Sequence, residues 1–158
     1  MSCGRVHTGV GMHMHLLETP SHKEYARRRT DKTVVQHLED LGFLGLNLTL
    51  GHRVWLSETD IAQVVESGVM ICHNTNSNLR LRSGVAPVNH FLAHEARVSL
   101  GLDEAGINDD RDMLQEMRLV LRLHLAPGMD DRVPTCPEVF EGEIMAAGQG
   151  VIFRGGVM

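Results

Sequence analysis

The 158-residue sequence carries 15 Lys and Arg against 20 Asp and Glu, and 42% of its residues are hydrophobic. This length is typical of one domain with a sizeable core, and a net charge of −5 argues against nucleic-acid binding, which needs a clustered basic face. The one short basic run, Arg27 to Arg29, is interpreted as the exposed side of a helix. No run approaches membrane-spanning length and the three cysteines lack CxxC spacing, so we expect a cytoplasmic protein with no disulfide framework and no membrane partner. The ten histidines favour a metal site.

The stretch from Gly11 to Glu18 predicts a buried strand that ends in polar residues. Side chains alternate along a strand, so His13 and His15 share one face and the two methionines share the other. Glu18 follows where a loop to a helix would begin. A histidine and a carboxylate three residues apart could hold a metal ion and transfer protons. A structural histidine and a solvated glutamate would give the same pattern.

Three further strand–loop–helix units are predicted after this first strand. Their strands are Leu46 to Leu50, Val69 to Cys72 and Val98 to Leu102. The helical segments are 23–29, 31–41, 57–67, 87–95 and 112–124, and a long polar loop spans 75–86. Alternation of short apolar strands with helices predicts an α/β fold in which helices cover a parallel sheet.

Each predicted strand ends in a residue that can bind a metal or a proton: His15, His52, His73 and Asp103. Right-handed crossovers place the carboxyl ends of parallel strands at one edge, which is where α/β barrels carry their chemistry. Three imidazoles, a carboxylate and Glu18 at one edge suit a divalent metal with an activated water. One histidine after a strand is more often structural, so the prediction depends on all four strand ends.

Several segments resemble the amidohydrolase superfamily, and most closely its cytosine-deaminase-like branch of triazine hydrolases and adenosine-type and guanine-type aminohydrolases. They are His15-Leu-Leu-Glu18, Gly51-His52, the run 72–87 and the run 100–110. The resemblance extends from Gly11 to about Leu125. It implies a partial (β/α)₈ barrel, with the four βα units corresponding to its strands 5 to 8, and one divalent metal, zinc or iron.

The resemblance also implies a role for each residue at the strand ends. His15 would be a metal ligand, and Asp103 would contact the metal and accept a proton from the attacking water. His52 would orient that water or polarise the substrate, and is a third candidate ligand. Glu18 would be the proton shuttle that protonates the ring or the leaving group.

The loop after the third strand is the implied substrate pocket, with His73, Asn74 and Asn78 as its binding residues. The implied reaction is hydrolytic removal of an amino, alkylamino or halide group from a small nitrogen heterocycle. The alternative is a non-catalytic protein, either an orphaned barrel fragment or an interaction subunit that has retained these residues.

The sequence departs from the family pattern at its start and at its end. The first-strand His-x-His ligand pair is missing, and His13-x-His15 is not that pair because its continuation to Glu18 fits the fifth strand. A half barrel leaves two sheet edges open, so a homo-oligomer could close it. We therefore expect a partial barrel domain over residues 1–140, with an incomplete metal site, and an atypical tail over residues 141–158.

Overall fold

A computed structural model describes residues 10–104, 111–125 and 132–141. Within these ranges strands and helices alternate along the chain. The strands are β1 (Met12–Leu16), β2 (Leu48–His52), β3 (Met70–His73) and β4 (Arg97–Leu100). The helices are α1 (Pro20–Thr30), α2 (Val34–Asp40), α3 (Glu58–Glu66), α4 (Thr75–Arg80), α5 (Val88–Ala93), α6 (Met113–Leu123) and α7 (136–141).

The strands form one parallel sheet in the order β1-β2-β3-β4. His15 pairs with Gly51, and Gly51 pairs with Cys72 on the next strand. This register brings the carboxyl ends of the four strands to one edge of the sheet. The predicted α/β alternation with a parallel sheet is confirmed, and each predicted strand overlaps the observed one.

The prediction of a buried first strand is wrong for most of β1. Residues 12–15 are exposed, and only Leu16 at its end is buried. Within the described residues β1 pairs with β2 alone and forms an edge of the sheet. Its side chains therefore lack the neighbours on both sides that cover β2 and β3.

The predicted polar loop 75–86 contains a helix, α4, which the sequence analysis missed. Its Thr75, Ser77 and Asn78 are buried although they are polar. A six-residue segment without an apolar stripe gives no helical periodicity to detect. The contacts that hold α4 come from other elements and are described with the site.

The apolar core lies between the sheet and the helices that cover it. Among its most deeply buried side chains are Val35, Leu50, Val64, Ile71 and Phe91. Burial of one such side chain stabilises the fold by about 1.5–3 kcal/mol. The core fixes the strands, and so it fixes the residues at their carboxyl ends.

Helices α2 and α3 each begin with a capping box, and the hydroxyl groups of both boxes donate to one buried carboxylate. The side chains of Thr33 and Ser57 accept the backbone N–H groups of Gln36 and Asp60. Asp60 accepts hydrogen bonds from both hydroxyls, at 2.6 Å each. These sequence-local caps, each worth about 1 kcal/mol, therefore also join two neighbouring helices.

Some expectations concern residues that the structure does not describe. The tail 141–158, apart from residue 141, and the loop 105–110 lie outside the described residues, so the domain boundary stays a prediction. No helix within the described ranges is both long and apolar enough to cross a bilayer.

Candidate metal centre

Four of the predicted residues lie together at the carboxyl edge of the sheet, and we call them the site cluster: His15, Glu18, His52 and Asp103. His52 Nε2 lies 3.1 Å from His15 Nδ1. Asp103 reaches both rings, with Oδ1 3.5 Å from His15 Nε2 and Oδ2 3.7 Å from His52 Nε2. A ring nitrogen of His15, a ring nitrogen of His52 and a carboxylate oxygen of Glu18 all lie within 4.8 Å of one another. The predicted convergence therefore holds for these four residues.

Backbone conformation brings His52 to this cluster. His15 is paired with Gly51, so in an unbroken strand the next residue, His52, would face the opposite side of the sheet from His15. His52 instead has a φ of 67°, and Asp103, beyond β4, has a φ of 62°. The left-handed conformation costs a non-glycine residue about 1–2 kcal/mol, and here it turns the ring of His52 toward His15.

Asn74 occupies the space between the ends of the strands. A Cβ at Gly101 would lie 2.5 Å from Asn74 Oδ1 and 2.6 Å from Cys72 Sγ, so a side chain at position 101 would displace these two side chains. A Cβ at Gly51 would be 3.7 Å from Asn74 Nδ2 and 3.3 Å from His15 Cδ2. Glycine at position 101 therefore allows the Asn74 amide to lie beside the site cluster.

The hydrogen bond between His52 and Asn78 decides which nitrogens of the cluster carry lone pairs. His52 Nδ1 donates to Asn78 Oδ1 at 2.8 Å, because an amide oxygen can only accept. In a neutral ring His52 Nε2 then has a lone pair, which accepts from His15 Nδ1. In a neutral His15 ring, Nε2 then has the lone pair, and it is directed at a carboxylate oxygen of Asp103, 3.5 Å away.

This donor set fits a divalent cation. A nitrogen lone pair and a carboxylate oxygen repel each other when they face across 3.5 Å, unless a cation or a proton lies between them. Two imidazole nitrogens with oxygens from Glu18 and Asp103 match the nitrogen and oxygen ligands that zinc or iron takes in proteins. His15 is also accessible from solvent, with 49% of its side chain exposed, whereas His52 is fully buried.

His73 is not part of the site cluster, contrary to the expectation that it lies with His15, His52 and Asp103 at the carboxyl edge of the sheet. It alternates with Cys72 and so faces the helices, where its Nε2 lies 3.0 Å from Nε2 of His124. Burial lowers the pKa of His73 to about 3, with a smaller contribution from His124, and burial lowers the pKa of His124 to about 4. Both rings are therefore neutral at pH 7 and pack between β3 and the end of α6.

Arg53, next to His52, is a feature that the sequence analysis missed. Its side chain is completely buried, and none of its three guanidinium nitrogens has a hydrogen-bond partner among the described residues. Burial lowers its pKa to about 9. Nothing local in the sequence indicates this, because an arginine just after a strand is usually exposed.

A parallel βα sheet with histidines and carboxylates at its carboxyl edge is the arrangement found in (β/α)₈-barrel hydrolases. The sequence profile of the amidohydrolase family matches residues 5–137. The chain belongs to the amidohydrolase family.

Named relatives agree with the resemblance seen in the sequence. The chain is 42% identical over 116 residues to a 5′-deoxyadenosine deaminase of Methanosarcina barkeri, covering 73% of this chain and 27% of that protein. It is similar to a zinc-bound adenosine deaminase of Xanthomonas campestris (TM-score 0.68, 28% identity, 72% of this chain and 26% of the other). It is also similar to a zinc complex of the atrazine chlorohydrolase of Arthrobacter aurescens TC1 (TM-score 0.69, 26% identity, 74% and 26%). These matches confirm the expected branch, and the chain spans about a quarter of the length of each relative.

Proposed function

We propose that this chain is part of a metal-dependent hydrolase that removes an amino, alkylamino or halide group from a nitrogen heterocycle, and that it contains the residues that transfer protons. The observation that carries the proposal is the convergence of His15, Glu18, His52 and Asp103 within one small volume. Membership of the amidohydrolase family and the similarity to deaminases support it.

Each residue of the site cluster has a role that its surroundings support. His15 and Asp103 are the proposed metal ligands, and His52 is a third. A bound zinc or iron ion would lower the pKa of a coordinated water and so supply a nucleophile near neutral pH. The carboxylate of Asp103 accepts the proton of the attacking water. Glu18, half-buried and held by Ser83 at 3.1 Å, delivers a proton to the heterocycle or its leaving group.

The substrate side of the site is proposed to include Asn74, whose amide lies beside the cluster. Asn78 was also expected to bind substrate, but its Oδ1 is occupied by His52, so we assign it to the support of that ring. The proposed substrate is a small aromatic heterocycle with a leaving group on an electron-poor ring carbon. Deaminases of 5′-deoxyadenosine and adenosine among the similar proteins favour an aminopurine nucleoside.

The rest of the proposal concerns the assembly. We propose that the four βα units are strands 5 to 8 of an eight-stranded barrel, and that the remaining strands supply further ligands to the metal. A homo-oligomer that pairs open sheet edges is one way to place eight strands together. A cytoplasmic location, expected from the cysteine pattern, belongs to the same proposal.

Metal content and ammonia release test the proposed function. We expect the purified chain to bind about one zinc or iron per chain or per dimer, measured by elemental analysis. Asp103→Asn should abolish ammonia release from a panel of aminopurine nucleosides, aminopyrimidines and triazines. Asp40→Asn is the matched control, because Asp40 is an exposed carboxylate on α2 that pairs with Lys32. A metal-free chain without turnover would instead support the non-catalytic alternative.

A further inference from the structure

One short segment supplies a hydrogen-bond partner to three members of the site cluster. Ser77 Oγ donates to Asp103 Oδ2 at 2.6 Å, and Asn78 Oδ1 accepts from His52 Nδ1 at 2.8 Å. Ser83, just after α4, donates to Glu18 Oε1 at 3.1 Å.

Two of these bonds decide which atoms of Asp103 and His52 face the other members of the cluster. The bond from Ser77 uses Oδ2 of Asp103 and leaves Oδ1 directed at His15. The bond to Asn78 puts the proton of His52 on Nδ1 and leaves the lone pair on Nε2, which faces the other members of the cluster. Ser77 and Asn78 are both about 1% exposed, so water does not compete for these contacts.

Helix α4 needs an external anchor to present Ser77 and Asn78 in this way. Isolated helices of six residues are unstable in water, and α4 has no side-chain cap at its N-terminus. Glu116 of α6 supplies a contact there, since its Oε1 accepts the backbone N–H of Asn76 at 2.9 Å. Glu116 is 1% exposed, and a carboxylate this deeply buried is costly unless it has partners.

We propose that α4 is the orienting element of the metal site and that Glu116 is its positioning residue. Glu116 fixes the first turn of α4 through the backbone N–H of Asn76. Helix α4 then fixes the tautomer of His52 through Asn78, and through Ser77 it orients Asp103 so that Oδ1 faces His15. Residues that orient metal ligands in this way typically change metal affinity by 10- to 100-fold when they are replaced. The inference rests on the proposed function only in taking the site cluster to be a metal site.

The test compares two methionine substitutions one residue apart on α6. Glu116→Met removes the acceptor while retaining much of the side-chain volume, and Gln115→Met makes the same replacement at an exposed position. In the unaltered chain labelled with ¹⁵N-histidine, His52 should show a protonated Nδ1 and a bare Nε2, with its signals identified by their loss in His52→Gln. Glu116→Met should give mixed tautomers and weaken the binding of zinc chloride about tenfold or more, whereas Gln115→Met should change neither.

Conservative variants separate positioning from general stability. Glu116→Gln keeps an acceptor oxygen and should restore the His52 tautomer. Asn78→Leu should reproduce the loss of the tautomer directly. If Glu116→Met does not fold, Glu116→Asp replaces it in the test, because aspartate keeps the charge but is too short to reach Asn76 in the same way. This variant should change the His52 tautomer and the zinc affinity in the same direction, by a smaller amount.

The proposal is overturned if a folded Glu116 variant has a lower melting temperature but an unchanged His52 tautomer and zinc affinity. The tautomer is read without turnover, so its outcome is independent of activity. A chain that shows the expected tautomer changes, but releases no ammonia even when the strands that complete its barrel are supplied, would refute the proposed function and leave the orienting role of α4 intact.

Discussion

Replacing Arg53 with methionine is expected to stabilise the fold by about 3 kcal/mol. The guanidinium is completely buried and has no hydrogen-bond partner in the described part of the chain. Burial lowers its pKa from 12.5 to about 9, and a change of this size corresponds to a penalty of roughly 5 kcal/mol on the charged form. Methionine is unbranched and apolar, so it can occupy much of the same space without the charge.

Two effects bring the expected gain below the full penalty. Methionine is smaller than arginine, and residual cavity volume costs about 24 cal/mol per Å³. The apolar stem of arginine also buries surface in the fold, and methionine replaces that contribution only in part. The φ of 48° at this position strains both side chains alike, so the backbone contribution cancels in the comparison.

Urea denaturation of the Arg53→Met variant at pH 7 measures this difference directly. Arg29→Met, at an exposed position on α1, is the matched control and should change the free energy of unfolding by less than about 0.5 kcal/mol. An Arg53→Met variant that is no more stable than the original chain, or is less stable, would contradict the expected cost of burying this guanidinium. Such a result would show that the guanidinium has an anionic partner in the folded protein.

Three further predictions follow from buried groups and caps. The pKa of His73, lowered by burial to about 3, lies below that of the unfolded chain, which therefore binds more protons between about pH 3 and 6.5. The free energy of unfolding should therefore fall as the pH falls through that range. Between pH 7 and pH 5 the His73→Leu variant should lose about 2 kcal/mol less of this free energy than the original chain, as measured by denaturation at each pH. Gly101→Ala should displace Asn74 and cost about 1–3 kcal/mol in thermal unfolding, whereas Gly45→Ala, with open space around its Cβ, should cost much less. Ser57→Ala removes the cap of α3 and should lower the free energy of unfolding by about 1 kcal/mol.

Much of the fold and part of the candidate site were predictable because they depend on local patterns. Apolar strands that alternate with capped helices specify a parallel sheet, and parallel strands present their carboxyl ends at one edge. His15 and His52 lie at the carboxyl ends of β1 and β2, and Asp103 lies shortly after the end of β4, so all three lie at that edge. Their sequence positions predicted the shared edge, whereas strand alternation does not predict the left-handed φ that turns His52 toward His15.

The remaining features depend on contacts between distant residues. His73 also ends a strand, but alternation directs it to the helices, where His124 from a distant part of the chain is its partner. The helix α4 is held by Glu116, and the burial of Arg53 follows from the surrounding packing. No local pattern records these contacts, and so the sequence analysis missed them.

The open edge of β1 links assembly to metal affinity. Among the described residues β1 pairs with β2 alone, so its other edge can accept another strand, and a strand added there would lie beside His15 and reduce the solvent around that ring. If the added strand changes the affinity of this ring for a metal ion, then metal binding must change the affinity for the strand by the same factor. The association of a polypeptide that completes the sheet beside β1 would in that case depend on the zinc concentration.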